Sequence, residues 1–255
     1  MAKRFAGELE DIDPSRLITE GRFDRMESFF LGLGLIFNDF KGLILFEELV
    51  IDSYDKPKPS DLDDHSGNYA GVMVQIHRLF AGVVSGFFEF VQKNEKVYNT
   101  PEFKEILSKV SSGVKHQWES LKAAAFEEWG EAEKLLSTSS AIRNHVAFHV
   151  DPSGQGLREG YISHFFGNTK HGRSAKAFYS AVTGNKPLSR FYFSDAAAEE
   201  ALRLAAGKES KDDIETDTEF KSYQRQVVEA VQIISDTALS LVKAYIQYRR
   251  NQSDA

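Results

Sequence analysis

The chain has 255 residues, enough to bury a substantial core as one large domain or as a domain carrying an insertion. It contains no cysteine, which excludes disulfides, thiolate zinc sites and cysteine nucleophiles and fits a reducing, cytoplasmic compartment. With 31 lysines and arginines against 38 acidic residues the net charge is -7, which argues against broad nucleic-acid or anionic-membrane binding unless basic residues cluster locally.

Residues 1–10 lack an apolar run and do not read as a signal peptide. Asp13-Pro14, a cap followed by proline, opens a helical region that runs, with a break near Gly21, to about Tyr54. Its apolar face is Phe23, Met26, Phe30, Leu33, Phe37, Phe40 and Ile44. Within it, Phe29–Phe46 is apolar enough to be mistaken for a membrane span. The charges of Asp39 and Lys41 at its centre would each cost roughly 2.5–3.5 kcal/mol there, so a buried core helix is expected and no membrane contact.

Lys56–Ser60 and the acidic run Asp61–Asp64 read as a loop. A second long helix is expected from about Tyr69 to Glu95, carrying Val72, Ile76, Leu79, Val83, Phe87 and Phe90. Thr100-Pro101-Glu102 starts a third, through Ile106, Val110, Val114 and Trp118, with Gly130 as its breaker. A fourth leads through Leu135 and Leu136 into Arg143–His149, and Pro152 sets its end near Val150.

Residues 152–193 are rich in glycine and aromatics and have poor periodicity. Ala177–Val182 and Leu188–Phe193 either pair as a short hairpin or form a short helix followed by an extended piece. Ser194 or Asp195 caps a helix from Ala196 to about Ala206, which Gly207 stops. After the acidic loop Lys208–Asp217, a last long helix covers Thr218–Arg250. Phe220, Val227, Ile234, Leu241 and Tyr248 recur in it every seven residues, with Val231, Ala238 and Tyr245 between them. The expected fold is all-α, an up-and-down helical bundle in a single domain 1–255, with an irregular insertion at about 152–207 before the last helix.

The densest polar stretch is Ala141–Asp151, which packs Arg143, Asn144, His145, His149 and Asp151 into the end of a helix. His145 and His149 fall one turn apart on one face. Arg143 stands six residues before His149, about 9 Å along the axis and about 120° round it. The spacing R-x(5)-H alone is weak, and Arg158 with His164 repeats it among Gly154, Gly156 and Gly160, without a regular helical run. The context of Arg143 differs: a polar Asn follows it, and Val146–Asp151 closes a helix. The histidine pair with Asp151 permits a metal site, but no Glu follows His145 and no Glu-x-x-His occurs, so no metal or cofactor is expected. Gly167–Ser174 approaches a P-loop but has Arg173 in the lysine position and no parallel α/β context.

Ile142–Asp151 resembles the R-x(4–6)-H signature of the HEPN (higher eukaryote and prokaryote nucleotide-binding) family, in which a polar residue commonly follows the arginine. The resemblance is close over this motif and extends to the remainder only as a helical pattern. It implies a four- or five-helix bundle, frequent homodimers, and in many members a metal-independent endoribonuclease. Other members are catalytically inactive modules that bind a protein or nucleotide. Family analogy also suggests a toxin or defence setting, with an inhibitory protein partner. On the motif's positions the resemblance assigns Arg143, Asn144 and His149 as catalytic. His145 and Asp151 join them by position, and Asp39 either pairs with Arg143 or His149 across the bundle or is exposed.

These residue types suit the chemistry. Cleavage of RNA by its own 2′-hydroxyl needs a proton acceptor, a donor for the leaving oxygen and positive charge at phosphorus. Histidine serves either proton role near neutrality, and arginine presents a fixed fork of donors to phosphate. Two chains meeting at a twofold axis would supply two copies of His149, one as acid and one as base. From Leu157 to Phe193 the basic residues Arg158, Lys170, Arg173, Lys176, Lys186 and Arg190 face only Glu159, with Tyr161, Phe165, Phe166, Tyr179 and Tyr192 interleaved. That composition suits contact with single-stranded RNA.

Overall fold

The computed structural model describes residues 14–19, 23–54, 63–126, 131–142, 155–167, 180–181, 189–207 and 213–253. The expected Asp13 cap, the breaks at Gly21 and Gly130, most of the two acidic loops, the P-loop-like stretch beyond Gly167, and residues 143–154 lie outside them. Among the described residues the fold is an all-α bundle of nine helices.

After a 3-10 turn at Pro14–Arg16, α1 runs over Arg25–Tyr54. It starts where the Asp24 carboxylate accepts from the Met26 and Glu27 amides at 2.7 and 3.3 Å, satisfying donors that the first turn leaves unpaired. α2, Asp64–Lys93, begins five residues before the expected Tyr69, because Asp63 caps it by accepting from the Ser66 amide at 2.7 Å. The two are antiparallel: Phe29 stacks on Phe90 at one end and Tyr54 meets Tyr69 at the other.

The expected third helix is in fact broken. After α3, Glu95–Tyr98, Thr100 caps α4, Pro101–Ser108, and Ser111 caps a separate α5, Ser112–Phe126, by accepting from the Val114 amide. The apolar stripe through Ile106, Val110 and Trp118 concealed that break. Phe103 and Trp118 still reach one aromatic cluster with Phe29 and Phe30, at the centre of the core.

α6 covers Glu131–Ile142. The segment expected to be irregular contains α7, Gln155–Phe166, followed by a two-residue antiparallel ladder and then α8, Tyr192–Ala206. In the ladder β1, Ser180–Ala181, pairs with β2, Arg190–Phe191. Gly160 explains the helical α7: a Cβ there would collide with the Ala197 carbonyl and lie 2.8 Å from the Ala201 amide nitrogen. Glycine at 160 lets two helices touch backbone to backbone instead of ending one. α8 starts four residues before the expected Ala196, so the aromatic pair Tyr192-Phe193 belongs to its first turn. The Tyr192 ring lies against the bare Cα of Gly67, and the Arg190 guanidinium against that of Gly71, one turn on along α2.

α9, Asp213–Ser253, runs antiparallel to α1: Tyr245 stacks on Phe30 at 4.2 Å, and Arg249 pairs with Glu27 at 3.3 Å. The heptad stripe of α9 is the packed face, with Ile234 and Leu241 fully buried. α1 departs from the expected buried core helix. Met26, Phe29, Phe30, Leu33 and Phe40 are buried, but Leu31, Leu35, Leu45 and Phe46 are exposed, and Phe23 precedes the helix in solvent. By length and composition alone α1 and α2 would each suffice to cross a membrane; 22 % of the apolar window of α1 is buried inside the bundle and 56 % of that of α2.

Candidate functional site

The five residues of the sequence motif, Arg143, Asn144, His145, His149 and Asp151, lie outside the described residues, as do Lys170, Arg173, Lys176 and Lys186. What leads into the motif is described. α6 ends at Ile142, which is fully buried. Its last turn is tied to two neighbours: Ser139 Oγ lies 3.1 Å from the Tyr223 hydroxyl of α9, and Ser140 Oγ lies 3.1 Å from Ser85 Oγ of α2. Burial pushes the Tyr223 phenol well up, against a smaller pull from Ser139, so the hydroxyl stays protonated.

Beside this turn, α1, α2, α6, α8 and α9 leave a cavity of about 260 Å³. Its walls are apolar, with Ile142 from α6, Leu202 from α8, and Phe220, Val227 and Val231 from α9. Among the described residues its polar lining is Glu47, His77, Tyr223, Gln224 and Gln232. The antiparallel pairing of α1 with α2 brings Glu47 and His77 to about the same level, within about one helical turn.

Both groups are tuned away from charge. Burial lowers the His77 pKa below its usual value, keeping a neutral imidazole that both donates and accepts. Burial, followed by repulsion from Glu48, raises the Glu47 carboxyl. Among the described residues no group of three or more His, Asp or Glu is arranged to hold a metal ion.

The remaining expected site residues are placed as follows. Asp39 is exposed on the outer face of α1, with Asn38 beside it, so of its two expected positions it takes the solvent one and no core pairing. Arg158 is exposed on α7. Arg190, expected among the RNA-contacting cations, is paired with Asp195 through Nε at 2.6 Å and Nη2 at 3.0 Å. Tyr192 is buried, its hydroxyl donating to the Asp64 carbonyl at 3.2 Å, whereas Tyr161 and Phe166 are exposed. His164, on α7, lies near Glu200 of α8 and contributes to its electrostatics.

Glu200 belongs to a network that joins the insertion to the last helix. Arg203 donates to Glu200 at 2.9 and 2.8 Å and to Asp217 of α9 at 2.9 Å, while Ser163 of α7 donates to Glu200. Burial alone would raise the Glu200 carboxyl. The hydrogen bonds from Arg203 and Ser163, with the charges of Arg203 and His164, outweigh that and hold it below its usual value. Sequence reasoning gave no function to Glu47 or His77. Their placement together depends on the register of α1 against α2, which neither helix announces on its own.

The chain matches no family model, no curated protein and no solved structure. The site is therefore read from its own residues.

Proposed function

We propose that the chain is a HEPN-like, metal-independent endoribonuclease, with Arg143 as phosphate-binding cation, His149 as proton acceptor or donor and Asn144 as the residue that orients the phosphate. The observation that carries this reading is the Arg143-Asn144…His149 spacing in direct continuation of α6, whose last turn is fixed by Ser139 and Ser140 and faces a cavity through Ile142. The guanidinium fork matches two phosphate oxygens and would stabilise charge gathering at phosphorus. A homodimer would bring a second His149, so that one imidazole takes the 2′-hydroxyl proton while the other protonates the leaving oxygen.

Purified protein incubated with structured and unstructured RNAs in excess chelator provides the test. Cleavage that disappears in Arg143→Ala and His149→Ala, with circular dichroism and Tm unchanged, supports the enzyme. Loss of cleavage on chelation, or cleavage that survives both substitutions, overturns it. The alternative, a catalytically silent bundle that binds a ligand, is favoured by the apolar cavity itself. No cleavage across varied RNAs selects that alternative.

A further inference from the structure

We infer that Thr19 is a phosphorylation site, and that a phosphoryl group on its hydroxyl releases residues 14–19 from the ends of α1 and α9. This end of the bundle is remote from the motif, so release there does not depend on the ribonuclease reading: Tyr245 stands about 20 Å beyond Gln232 along α9.

Residues 14–19 cross this end as a strap. Its 3-10 turn is closed by the Leu17 amide, which donates to the Pro14 carbonyl at 3.2 Å. The Tyr245 hydroxyl donates to the Leu17 carbonyl at 2.6 Å, and Arg249 Nε to the Arg16 carbonyl at 3.1 Å. Burial pushes the Tyr245 phenol up to about 12, Arg249 pulling it down and the Glu27, Asp24 and Glu102 carboxylates adding to the rise, so it stays a donor. Glu27 Oε1 accepts from the Thr19 amide at 3.0 Å and from the Thr19 hydroxyl at 2.9 Å. Arg249 closes the ring, donating through Nη2 to Thr19 Oγ1 at 3.2 Å and pairing through Nη1 with Glu27 at 3.3 Å. Thr19 is the side chain on which this latch shuts.

The strap buries little apolar surface. Leu17 is half-buried against the core, Ile18 is 43 % exposed, and Thr19 is exposed. Such a segment opens locally at small cost, so its hydroxyl can reach an enzyme while the bundle stays folded. Arg16 stands three residues before Thr19, where kinases that select basic substrates set a guanidinium against their own carboxylates. That spacing alone is weak; the decisive feature is how the latch responds to added charge.

The step is phosphoryl transfer from ATP. The Oγ1–P bond forms as the bond from the γ-phosphorus to the bridging oxygen breaks, ADP leaves, and the hydroxyl proton passes to the kinase's base. A group of about −1.5 to −2 charge at pH 7 then replaces a neutral donor. Glu27 loses that donor and faces an anion at hydrogen-bond distance, and its side chain, 5 % exposed, cannot turn to water. Asp24, Glu102 and Glu105 stand around the same end, with Lys109 already paired to Glu105 at 3.4 Å. The α1 N-terminus is taken as well, because the Asp24 carboxylate accepts from the Met26 and Glu27 amides. Arg249 is the cation at hand, and drawing it to the phosphate would strip Glu27 of its guanidinium. By either route the buried carboxylate is left uncompensated, and expelling the strap into solvent relieves it.

The test uses the full chain. Incubation with cyclic-AMP-dependent protein kinase, ATP and Mg²⁺, followed by mass spectrometry, should find phosphate on Thr19; Thr19→Val should abolish it and Arg16→Ala slow it at least tenfold. Phosphothreonine installed at position 19 during translation supplies the modified chain independently of any kinase. In that protein the Thr19 amide should exchange with deuterium at least tenfold faster by NMR, while the Ile76 and Ile234 amides of the core keep their rates. Thr19→Val, which removes the hydroxyl but adds no charge, should accelerate the position-19 amide less than the phosphate does. Failure of the kinase to modify Thr19 overturns the site. A position-19 amide that exchanges as slowly as in the unmodified chain, or more slowly because Arg249 clamps the phosphate, overturns the release.

Discussion

Replacing Gly160 by alanine sets two effects of known size against each other. In a helix interior alanine is favoured over glycine by about 0.8–1.0 kcal/mol, so on propensity alone Gly160→Ala should stabilise α7. The new Cβ, however, would collide with the Ala197 carbonyl and stand 2.8 Å from the Ala201 nitrogen and 3.1 Å from the Ala201 Cβ. Ordinary carbon–oxygen approaches are about 3.3–3.6 Å, so α7 must back away from α8. The obstacles are backbone, which cannot rotate aside as a side chain would. Overpacking of this kind costs typically 1–3 kcal/mol, and the upper part of that range applies here. The net expectation is a loss of about 1–2 kcal/mol, and with roughly 2–4 °C per kcal/mol for a domain of this size a Tm lower by several degrees. Gly42→Ala on α1 is the control, because nothing lies within 4 Å of a Cβ there and only the propensity gain should appear. Urea unfolding of both variants reads the difference. A Gly160→Ala protein as stable as Gly42→Ala would refute the close contact between α7 and α8.

Three further outcomes follow from the charged and titrating groups. Glu200→Gln should cost about 3 kcal/mol by urea unfolding, since it strips a nearly buried guanidinium of its main partner, and Glu200→Met with Arg203→Met should recover much of that loss. The low Glu200 pKa means its contribution is complete above the ordinary 4.5 and lost as pH falls through the folded value, so the wild-type advantage over Glu200→Gln should shrink in acid. His77 is shifted in the same direction, by burial: folding favours its neutral form, so stability is full above 6.5 and declines as pH drops toward the lowered folded pKa. His77→Leu should flatten the Tm profile below pH 6.5, and an unchanged slope would contradict a desolvated imidazole. Glu47 holds its proton more tightly folded than unfolded, so its stabilising form is present below 4.5 and lost as pH rises. Glu47→Gln should therefore raise Tm at pH 7, on the order of 1 °C given its partial exposure, with the gain vanishing below pH 4.5.

Long-range order was legible in the sequence wherever an apolar stripe kept helical period over many turns. α2 and α9 follow Ile76, Phe87, Ile234 and Leu241 into the core as the spacing requires. Thr100-Pro101 was readable because capping is a local event with local residues. α7 was not, because Gly154, Gly156 and Gly160 are breakers by propensity, and only the nearness of Ala197 and Ala201 turns Gly160 into a packing residue. Local pattern failed again at α4 and α5, where Val110 continues a stripe through a turn. It failed at the outer face of α1, where leucines occur on the solvent side as well as the inner one. The motif is a matter of sequence alone, and the cavity of structure alone. Ile142 is the residue at which the two meet.

The seating of Tyr192 and Arg190 on Gly67 and Gly71 couples positions far apart in the chain. A methyl group at 67 would lie 2.7–2.8 Å from carbons of the Tyr192 ring, and one at 71 would strike the Arg190 guanidinium. The two cases differ: the Arg190 guanidinium ends a flexible side chain that can swing away from a larger residue at 71, whereas the buried Tyr192 ring has nowhere to go. Lineages of this protein should accordingly inherit 67 with 192 as matched alleles, one bulky where the other is bare.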